Sequence, residues 1–327
     1  MATTAYGDIS PRTAAYAAKE LLKRGLPFLV IEKFGQAKAL PANNSKVMKF
    51  RRYTALSNTP AVLAEGITPG STQLTYTDVT ATLVQYGDRV VITDVIEDTH
   101  EDPVLQEAID LLGEQAAQMI EKVRYGIIKA GTNVLYANGS ARNAVNTAIS
   151  VAVQRRAVRA LKRQNARFIT TIVKSTPAFG SETVAPGFVA LVHPDLAGDI
   201  RSLTGFVPAE KYGSMTPWEN ELGKCEDVRY VESTIFEPFA DAGGAKGLMV
   251  STTGVNADVY PILYLGRDAY GIVALKGAFA VTPMVVNAKP SDSDPMAQRS
   301  HAAWKAMQTA VILNDAWMVR VEVAATE

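Results

Sequence analysis

The chain has 327 residues, of which 47% are apolar and 20% charged, and its 33 Lys and Arg residues balance 33 Asp and Glu residues. A chain of this length can bury a substantial core and is expected to form about two domains. The balanced charge excludes an overall field that would draw the protein to nucleic acid or to an anionic membrane, so any such attraction must be local. The single cysteine, Cys225, excludes an internal disulfide framework.

The N-terminal segment predicts a short helix followed by an arm. Ser10 suits the N-cap, Pro11 the first helical position and Gly25 the C-terminal stop, which places the helix at about residues 11–24. The segment has no apolar signal core, and no stretch approaches the ~20 apolar residues that cross a bilayer. We therefore expect the chain to be made and kept in the cytoplasm, with no membrane partner.

Two strand-like segments follow the arm, and they predict a long hairpin at about residues 46–93. The first, "KVMKFRRYTAL", is too basic to be a buried strand, and the second, residues 64–94, is cleanly apolar on neither face. A two-stranded hairpin alone in water is marginally stable, and its unpaired edges invite association. The pattern leaves open whether the hairpin lies on its own domain or on another molecule.

The clearest element is a long helix predicted at residues 103–130, with Asp102 as its cap and Pro103 as its first residue. Its N-terminal flank "EDTHED" is the best metal-site candidate. Acidic residues in this position are also stabilised by the helix dipole, which favours a capping role. The candidate metal ligands in this flank are Glu97, Asp98, His100, Glu101 and Asp102.

A shorter helix is predicted from about Thr147 to Arg163, and it is strongly basic. Five positive charges fall within nine residues, with no aromatic residue among them. Such a face could contact phosphates without reading a base sequence, although an ordinary solvated helix face is the simpler interpretation. The five residues are Arg155, Arg156, Arg159, Lys162 and Arg163.

The remainder of the chain predicts a second domain at about residues 186–276, built from short strands and helices. The last segment, residues 277–327, predicts strands that return to the domain of the long helix, the final two forming a hairpin about Asn314 and Asp315. No nucleotide-binding loop, zinc-protease motif, nucleophile elbow or CxxC pair is present in the sequence. His193 and Asp195 favour a structural turn rather than a catalytic pair, and Cys225 has the setting of an ordinary thiol.

Nine stretches in order resemble the coat proteins of the phage N-four-like group, from about residue 12 to 323. With the order of elements, they indicate the α+β Hong Kong 97 fold of tailed-phage major capsid proteins, which encapsulins share. The stretches are "EKFGQAKALP", "KFRRYTAL", "EGITPG", "QYGDRVVITDVIEDTHEDPVLQEA", "GTNVLYANG", "VHPDLAGDIR", "LYLGRDAYG", "DPMAQRSHAAWKA" and "AVILNDAWMVRVE".

The resemblance implies a role for each segment. Residues 1–45 would be an N-terminal arm that reaches a neighbouring subunit, and residues 46–93 an extended loop lying over one. Residues 94–185 would form the peripheral domain with its spine helix, residues 186–276 the axial domain, and residues 277–327 the strands returning to the peripheral domain. Expected contacts between subunits involve Lys46, Lys49, Arg51, Arg52 and Tyr76 on the loop, and Glu107, Asp110 and Glu114 on the spine helix.

The implied function is a structural one. The protein would assemble into hexamers and pentamers of an icosahedral shell that encloses double-stranded DNA, with the basic helix facing the lumen. We expect a separate scaffolding protein and a portal as partners, no covalent crosslink through Lys46 or Lys49, and no enzymatic activity, cofactor or metal. An encapsulin-type compartment loaded with protein is the second hypothesis, and a metal-dependent enzyme built on "EDTHED" and His193 a remote third.

Overall fold

The computed structural model describes residues 29–41, 43, 45–59, 62, 65–66, 70–99, 104–169, 186–212, 217–275, 281–290 and 294–327. Two helices dominate this part of the chain, a long helix (Val104–Lys129) and a basic helix (Val151–Arg163). Shorter helices span Asp94–Thr99 and Ala197–Arg201. The strands are β1 (Gln36–Leu40), β2 (Val47–Tyr53), β3 (Tyr76–Thr82), β4 (Val84–Thr93), β5 (Val134–Tyr136), β6 (Phe188–Val192), β7 (Phe206–Pro208), β8 (Glu221–Cys225), β9 (Val228–Glu232), β10 (Tyr260–Leu265), β11 (Tyr270–Leu275), β12 (Val281–Val286), β13 (Arg299–Ile312) and β14 (Met318–Val323).

A five-stranded sheet is organised around β13. This strand pairs with β11 near its C-terminal end, with β12 along one edge and with β4 along the other, while β1 runs parallel to β11. Alternate residues of β13, including Ala302, Trp304 and Ala306, point to one face, where they pack against Ile109 and Leu112 of the long helix. The first half of the long helix is thus held by this sheet.

The second sheet has seven strands in the order β5-β14-β10-β6-β9-β8-β7, and both of its faces are covered. One face packs on the basic helix through Val153, Ala157 and Leu161. The other face, with Leu191 and Leu263, packs on the second half of the long helix and on residues 30–34. β6 is buried along its whole length, as expected for a strand covered on both sides.

A separate two-stranded sheet joins β2 to β3 in antiparallel register, from Val47 opposite Thr82 to Tyr53 opposite Tyr76. The predicted pairing of these two segments is confirmed. The predicted C-terminal limit of the hairpin near residue 93 is wrong, because the chain leaves it at the fully buried Leu83 and continues as β4 along β13. The long strand-forming stretch is therefore two strands in two sheets.

The long helix is confirmed by the structure at Val104–Lys129, while two other predictions are wrong in detail. The basic helix begins at Val151 rather than Thr147, and residues 145–150 are not helical. The start is fixed by the Ser150 hydroxyl, which caps the helix by accepting a hydrogen bond from the Val153 amide. The final two strands do not form a hairpin about Asn314, since β13 pairs with β4, β11 and β12, whereas β14 pairs with β10 and β5. The predicted helix at residues 11–24, and His100 to Pro103, lie outside the described residues.

Candidate functional site

The root of the β2–β3 hairpin is fixed to the body of the subunit by a small apolar cluster. Phe50 and Ala81 point inward from the two strands and contact Leu40 and Val273 of the five-stranded sheet, together with Leu83. Gly271 makes room for the ring, because a Cβ at that position would lie 2.9 Å from the Phe50 Cζ atom. One face of the hairpin root is therefore covered by its own chain.

The opposite face of the hairpin carries four cross-strand pairs that the described part of the chain leaves uncovered, namely Val47 opposite Thr82 at its base and three further pairs. Lys49 lies opposite Thr80, Arg51 opposite Asp78, and Tyr53 opposite Tyr76, whose rings meet edge to face at 6.3 Å. Tyr53 and Tyr76 are 61% and 54% exposed, far more than aromatic side chains within a folded core. We call the face formed by these four pairs the outer face.

Arg51 contacts two other side chains of the outer face. Its Nε and Nη2 atoms donate to the Asp78 carboxylate over 2.9 and 3.1 Å, and its guanidinium lies 4.1 Å from the centre of the Tyr76 ring. The hydrogen bond from Arg51 lowers the pKa of Asp78, and the same bond raises the pKa of Arg51. Both groups are charged at neutral pH, and the pair neutralises itself before any other molecule approaches.

The distal part of the hairpin has no cover within the described part of the chain. Every described residue from Arg51 to Thr77 is exposed, including the large apolar side chains of Leu56, Val62 and Leu74. A single exposed apolar side chain is common on a protein surface. Several of them on one projecting segment are typical of an interaction site.

The predicted loop contacts divide between the two faces of this hairpin. Lys49, Arg51 and Tyr76 lie on the outer face, and exposed Lys46 precedes β2. Arg52 lies on the inward face with Phe50, since neighbouring residues of a strand point to opposite sides. Arg51 and Arg52 therefore lie on opposite faces of the hairpin, and the expectation that both reach the neighbouring spine helix stays a prediction.

The predicted acidic contacts lie on the first turns of the long helix. Glu107 is exposed, Asp110 and Glu114 are half-buried, and Gln106 and Gln118 donate to the latter two carboxylates. They surround Leu111, which is 58% exposed and which the sequence prediction did not include. An apolar residue at a surface position of an amphipathic helix was the signal that could have found it.

The five basic residues of the basic helix are all exposed, but they do not form one uniform patch. Arg155 forms an ion pair with Glu226, and Lys162 forms one with Asp227. Both acidic partners lie in the turn between β8 and β9. The sequence spacing gave no sign of this division, because the partners are more than sixty residues away.

The other chemical candidates have structural roles or fall outside the described residues. His193 Nδ1 accepts from the Asp195 amide at 3.2 Å and caps a short turn, and burial lowers its pKa. Cys225 is buried, and that burial raises the pKa of its thiol. Across the described ranges no group of three or more His, Cys, Asp or Glu side chains is placed to hold a metal, while the side chains of "EDTHED" are not described.

A buried carboxylate joins the start of the described chain to the long helix, and sequence reasoning missed it. Glu121 Oε1 accepts from the amides of Val30 and Ile31 at 3.0 and 2.8 Å, while Oε2 is buried without a hydrogen-bond partner in the described structure. Burial raises the pKa of Glu121 to about 7. Three residues away, buried Arg124 pairs with Glu32 at 3.1 Å and so fixes the same segment.

Several solved structures with this architecture are the shells of bacterial viruses. The capsid of Ralstonia phage GP4 matches with a TM-score of 0.67 at 14% identity, covering 90% of this chain and 87% of that one. The cyanophage Pam1 capsid matches with 0.65 at 14% identity over 93% and 92%, and the cyanophage P-SCSP1u capsid with 0.59 at 15% identity over 91% and 88%. The fold is thus the Hong Kong 97 fold of phage capsid subunits.

The family model for phage capsid proteins matches residues 76–321, which is most of the chain. The chain belongs to the phage capsid protein family, and it is a structural shell protein of tailed phages that self-associates and resides in the virion capsid. Among curated protein sequences, none matches it. None of the helices in the described ranges is both long and apolar enough to cross a bilayer.

Proposed function

We propose that copies of this chain close into an icosahedral shell by laying the β2–β3 hairpin of each subunit over its neighbour. The observation that supports this is the exposure of every described residue from Arg51 to Thr77, which include two paired tyrosines. Tyrosine and arginine are the residues that dominate binding energy at protein interfaces. A neighbouring copy would cover the face that the subunit itself leaves in water.

The surface that would receive the hairpin is the exposed side of the long helix in the adjacent subunit. Glu107, Asp110 and Glu114 surround Leu111 there, giving an apolar centre with an acidic rim. The outer face of the hairpin offers aromatic rings beside the positive charge of Lys49, while the charge of Arg51 is already paired with Asp78. Lys46 would add positive charge at the rim of this interface. Arg52 would lie away from the interface, on the inward face of the hairpin.

The remaining segments have roles that follow from the same assembly. We propose that residues 1–45 reach a neighbour as an arm, that residues 94–185 and 277–327 supply the peripheral domain, and that residues 186–276 surround the axis of hexamers and pentamers. Both sheets draw strands from more than one of these segments, so the proposed units share their cores.

The proposed partners are a scaffolding protein, a portal and packaged double-stranded DNA, with assembly in the cytoplasm of the host bacterium. The shell would be held by noncovalent contacts alone, without a crosslink through Lys46 or Lys49, and the subunit would have no catalytic activity. Large closed assemblies spread weak contacts over many copies, so each single contact needs only modest strength.

The hairpin offers a matched pair of variants to test this proposal. Tyr53→Ser with Tyr76→Ser removes one cross-strand pair of the outer face, and Arg52→Gln with Thr77→Ala alters the adjacent pair on the inward face. Size-exclusion chromatography and electron microscopy would measure the fraction of protein in closed shells, and circular dichroism would report folding. The purified wild type, with its scaffold if required, is the reference.

We expect the tyrosine variant to stay folded as small species and the control variant to assemble as the wild type does. Limited proteolysis should cut the small species between residues 53 and 76 and spare the same segment in shells. Normal shells from the tyrosine variant, or full protection of the hairpin in an unassembled subunit, would contradict the proposal.

A further inference from the structure

The ion pairs of the basic helix separate its five cations into two rows. Arg155 and Lys162 are seven residues apart, on one side of the helix, where Glu226 and Asp227 neutralise them. Lys162 also lies 5.7 Å from the centre of the Phe168 ring. This first row attaches the helix to the β8–β9 turn. The positive charges of Arg155 and Lys162 are therefore neutralised within the subunit.

The second row is formed by Arg156, Arg159 and Arg163, and we call it the arginine row. Their spacing of three and four residues places them on one face of the helix. All three are exposed, and within the described part of the chain no carboxylate lies within ion-pair distance of any of them. Among the described residues, these three positive charges therefore have no ion-pair partner, on a protein whose net charge is zero.

The arginine row has dimensions that suit a nucleic-acid backbone. Seven residues of helix span about 10 Å, and each strand of duplex DNA presents one phosphate per roughly 3.4 Å of its axis. The row therefore spans about three phosphates when the helix lies along the duplex. Guanidinium groups bind phosphate oxygens through paired N–H donors, which a lysine cannot reproduce.

The surroundings of the row favour a polyphosphate over an acidic protein. No aromatic side chain lies in the helix Val151–Arg163, and the cleft beside the row is lined almost entirely by charged side chains. Protein interfaces place aromatic and large apolar residues at their centres, whereas the only apolar residue that the helix Val151–Arg163 exposes is the small Ala152. A contact of charge alone is the mode by which proteins hold DNA irrespective of its sequence.

We propose that Arg156, Arg159 and Arg163 contact the phosphate backbone of packaged duplex DNA, whereas Arg155 and Lys162 only attach the basic helix to its own subunit. This inference rests on the proposed function, a shell filled with duplex DNA, and on the lumen-facing position of the basic helix that the family resemblance implies. It goes further by assigning the contact to three of the five cations.

The test compares two sets of charge-removing variants in the full chain. Arg156→Gln, Arg159→Gln and Arg163→Gln together remove the arginine row, and Arg155→Gln with Lys162→Gln removes the paired row. Fluorescence anisotropy of a short labelled duplex would measure binding between about 50 and 200 mM salt. Electron microscopy of shells made from each variant is the separate test of assembly.

We expect the triple variant to form normal shells while the slope of log K against log salt becomes shallower by about 2.7, or about 0.9 for each phosphate that an arginine no longer neutralises. The double variant should keep the wild-type slope, and a triple Arg→Lys variant should largely restore it. Two duplexes of unrelated sequence should bind equally.

Equal slopes for the triple variant and the wild type would overturn the assignment, as would a loss of binding in the double variant alone. Tighter wild-type binding to polyglutamate than to the duplex would also overturn it, in favour of an acidic protein partner. Failure of the wild type to form shells would instead count against the proposed function, so the two failures are distinguishable.

Discussion

The seven-stranded sheet and the β2–β3 hairpin represent opposite solutions to the burial of strands. The sheet is covered on both faces, so that Phe188, Tyr264 and Leu263 are essentially inaccessible to water. The hairpin is anchored at its root by Phe50 but leaves Tyr53 and Tyr76 more than half exposed. The buried side chains that stabilise the subunit are therefore concentrated in the sheet, and the exposed face that we propose contacts a neighbouring copy lies on the hairpin.

The largest expected effect comes from breaking the covered region. Phe188 is fully buried, with its ring 4.7 Å from that of Phe168, and Phe188→Ala should cost about 3–5 kcal/mol of unfolding free energy. Urea unfolding of the unassembled chain, followed by circular dichroism, would measure it. Tyr53→Ala is the control and should shift stability by no more than about 0.5 kcal/mol; equal losses from the two variants would refute the contrast.

A second effect, of a few kcal/mol, concerns the buried carboxylate of Glu121. Because burial raises its pKa to about 7 from 4.5, the folded state binds more protons than the unfolded state between these two values. The free energy of unfolding should therefore fall as pH rises from about 4.5 to 7, and level off above that range.

Glu121→Gln is the matched variant for this prediction. Its amide oxygen can still accept from the amides of Val30 and Ile31, while the charge is gone, so its unfolding free energy should lose most of this pH dependence. The groups facing Glu121 that also carry charge or titrate are Glu32, Arg124 and Tyr270. An unchanged pH profile in the variant would assign the dependence to one of those groups.

A third prediction disturbs the junction between the two regions. In Gly271→Ala, the new Cβ would lie 2.9 Å from Phe50 Cζ and 3.2 Å from Cε1, so the ring that anchors the hairpin must shift. Overpacking of this kind costs about 1–3 kcal/mol. Protease cleavage between residues 53 and 76 should become faster, and an unchanged cleavage rate would show that the ring does not hold the hairpin.

The smallest effect has the opposite sign. Gly126 lies in the exposed side of the long helix, and a Cβ there would meet nothing within 4 Å. Gly126→Ala should stabilise the unassembled subunit by about 0.5–1 kcal/mol, because alanine loses less backbone entropy on forming a helix. A stabilised subunit that no longer closes into shells would show that a neighbour packs against this position.

The sequence predicted those elements whose signals are local. The long helix follows from continuous apolar periodicity, and the pairing of β2 with β3 joins segments that are close along the chain. The departure of the chain at Leu83 was not predictable, because β13, which pairs with β4, lies more than two hundred residues away. The prediction of a hairpin about Asn314 failed for the same reason, because the strands that pair with β14 come from distant parts of the chain.

The candidate site was predictable in composition but not in geometry. Arg51 and Arg52 are identical neighbours in the sequence, yet strand geometry places their side chains on opposite faces. Only Arg51 forms an ion pair with Asp78. Arg155 and Arg156 differ in the same way, because the position of Glu226 is set by a turn in another sheet. Pairing across distant segments decides which charges remain available, and a single sequence does not contain that information.

Leu83 has a mechanical consequence. It is the one residue between β3 and β4, and its side chain is fully buried. A force on the hairpin is therefore transmitted through Leu83 to the Val84 end of β4. The ten residue pairs between β4 and β13 resist that force together. In the proposed shell, tension between neighbouring subunits would therefore pass through Leu83 and β4 into the sheet that supports the long helix.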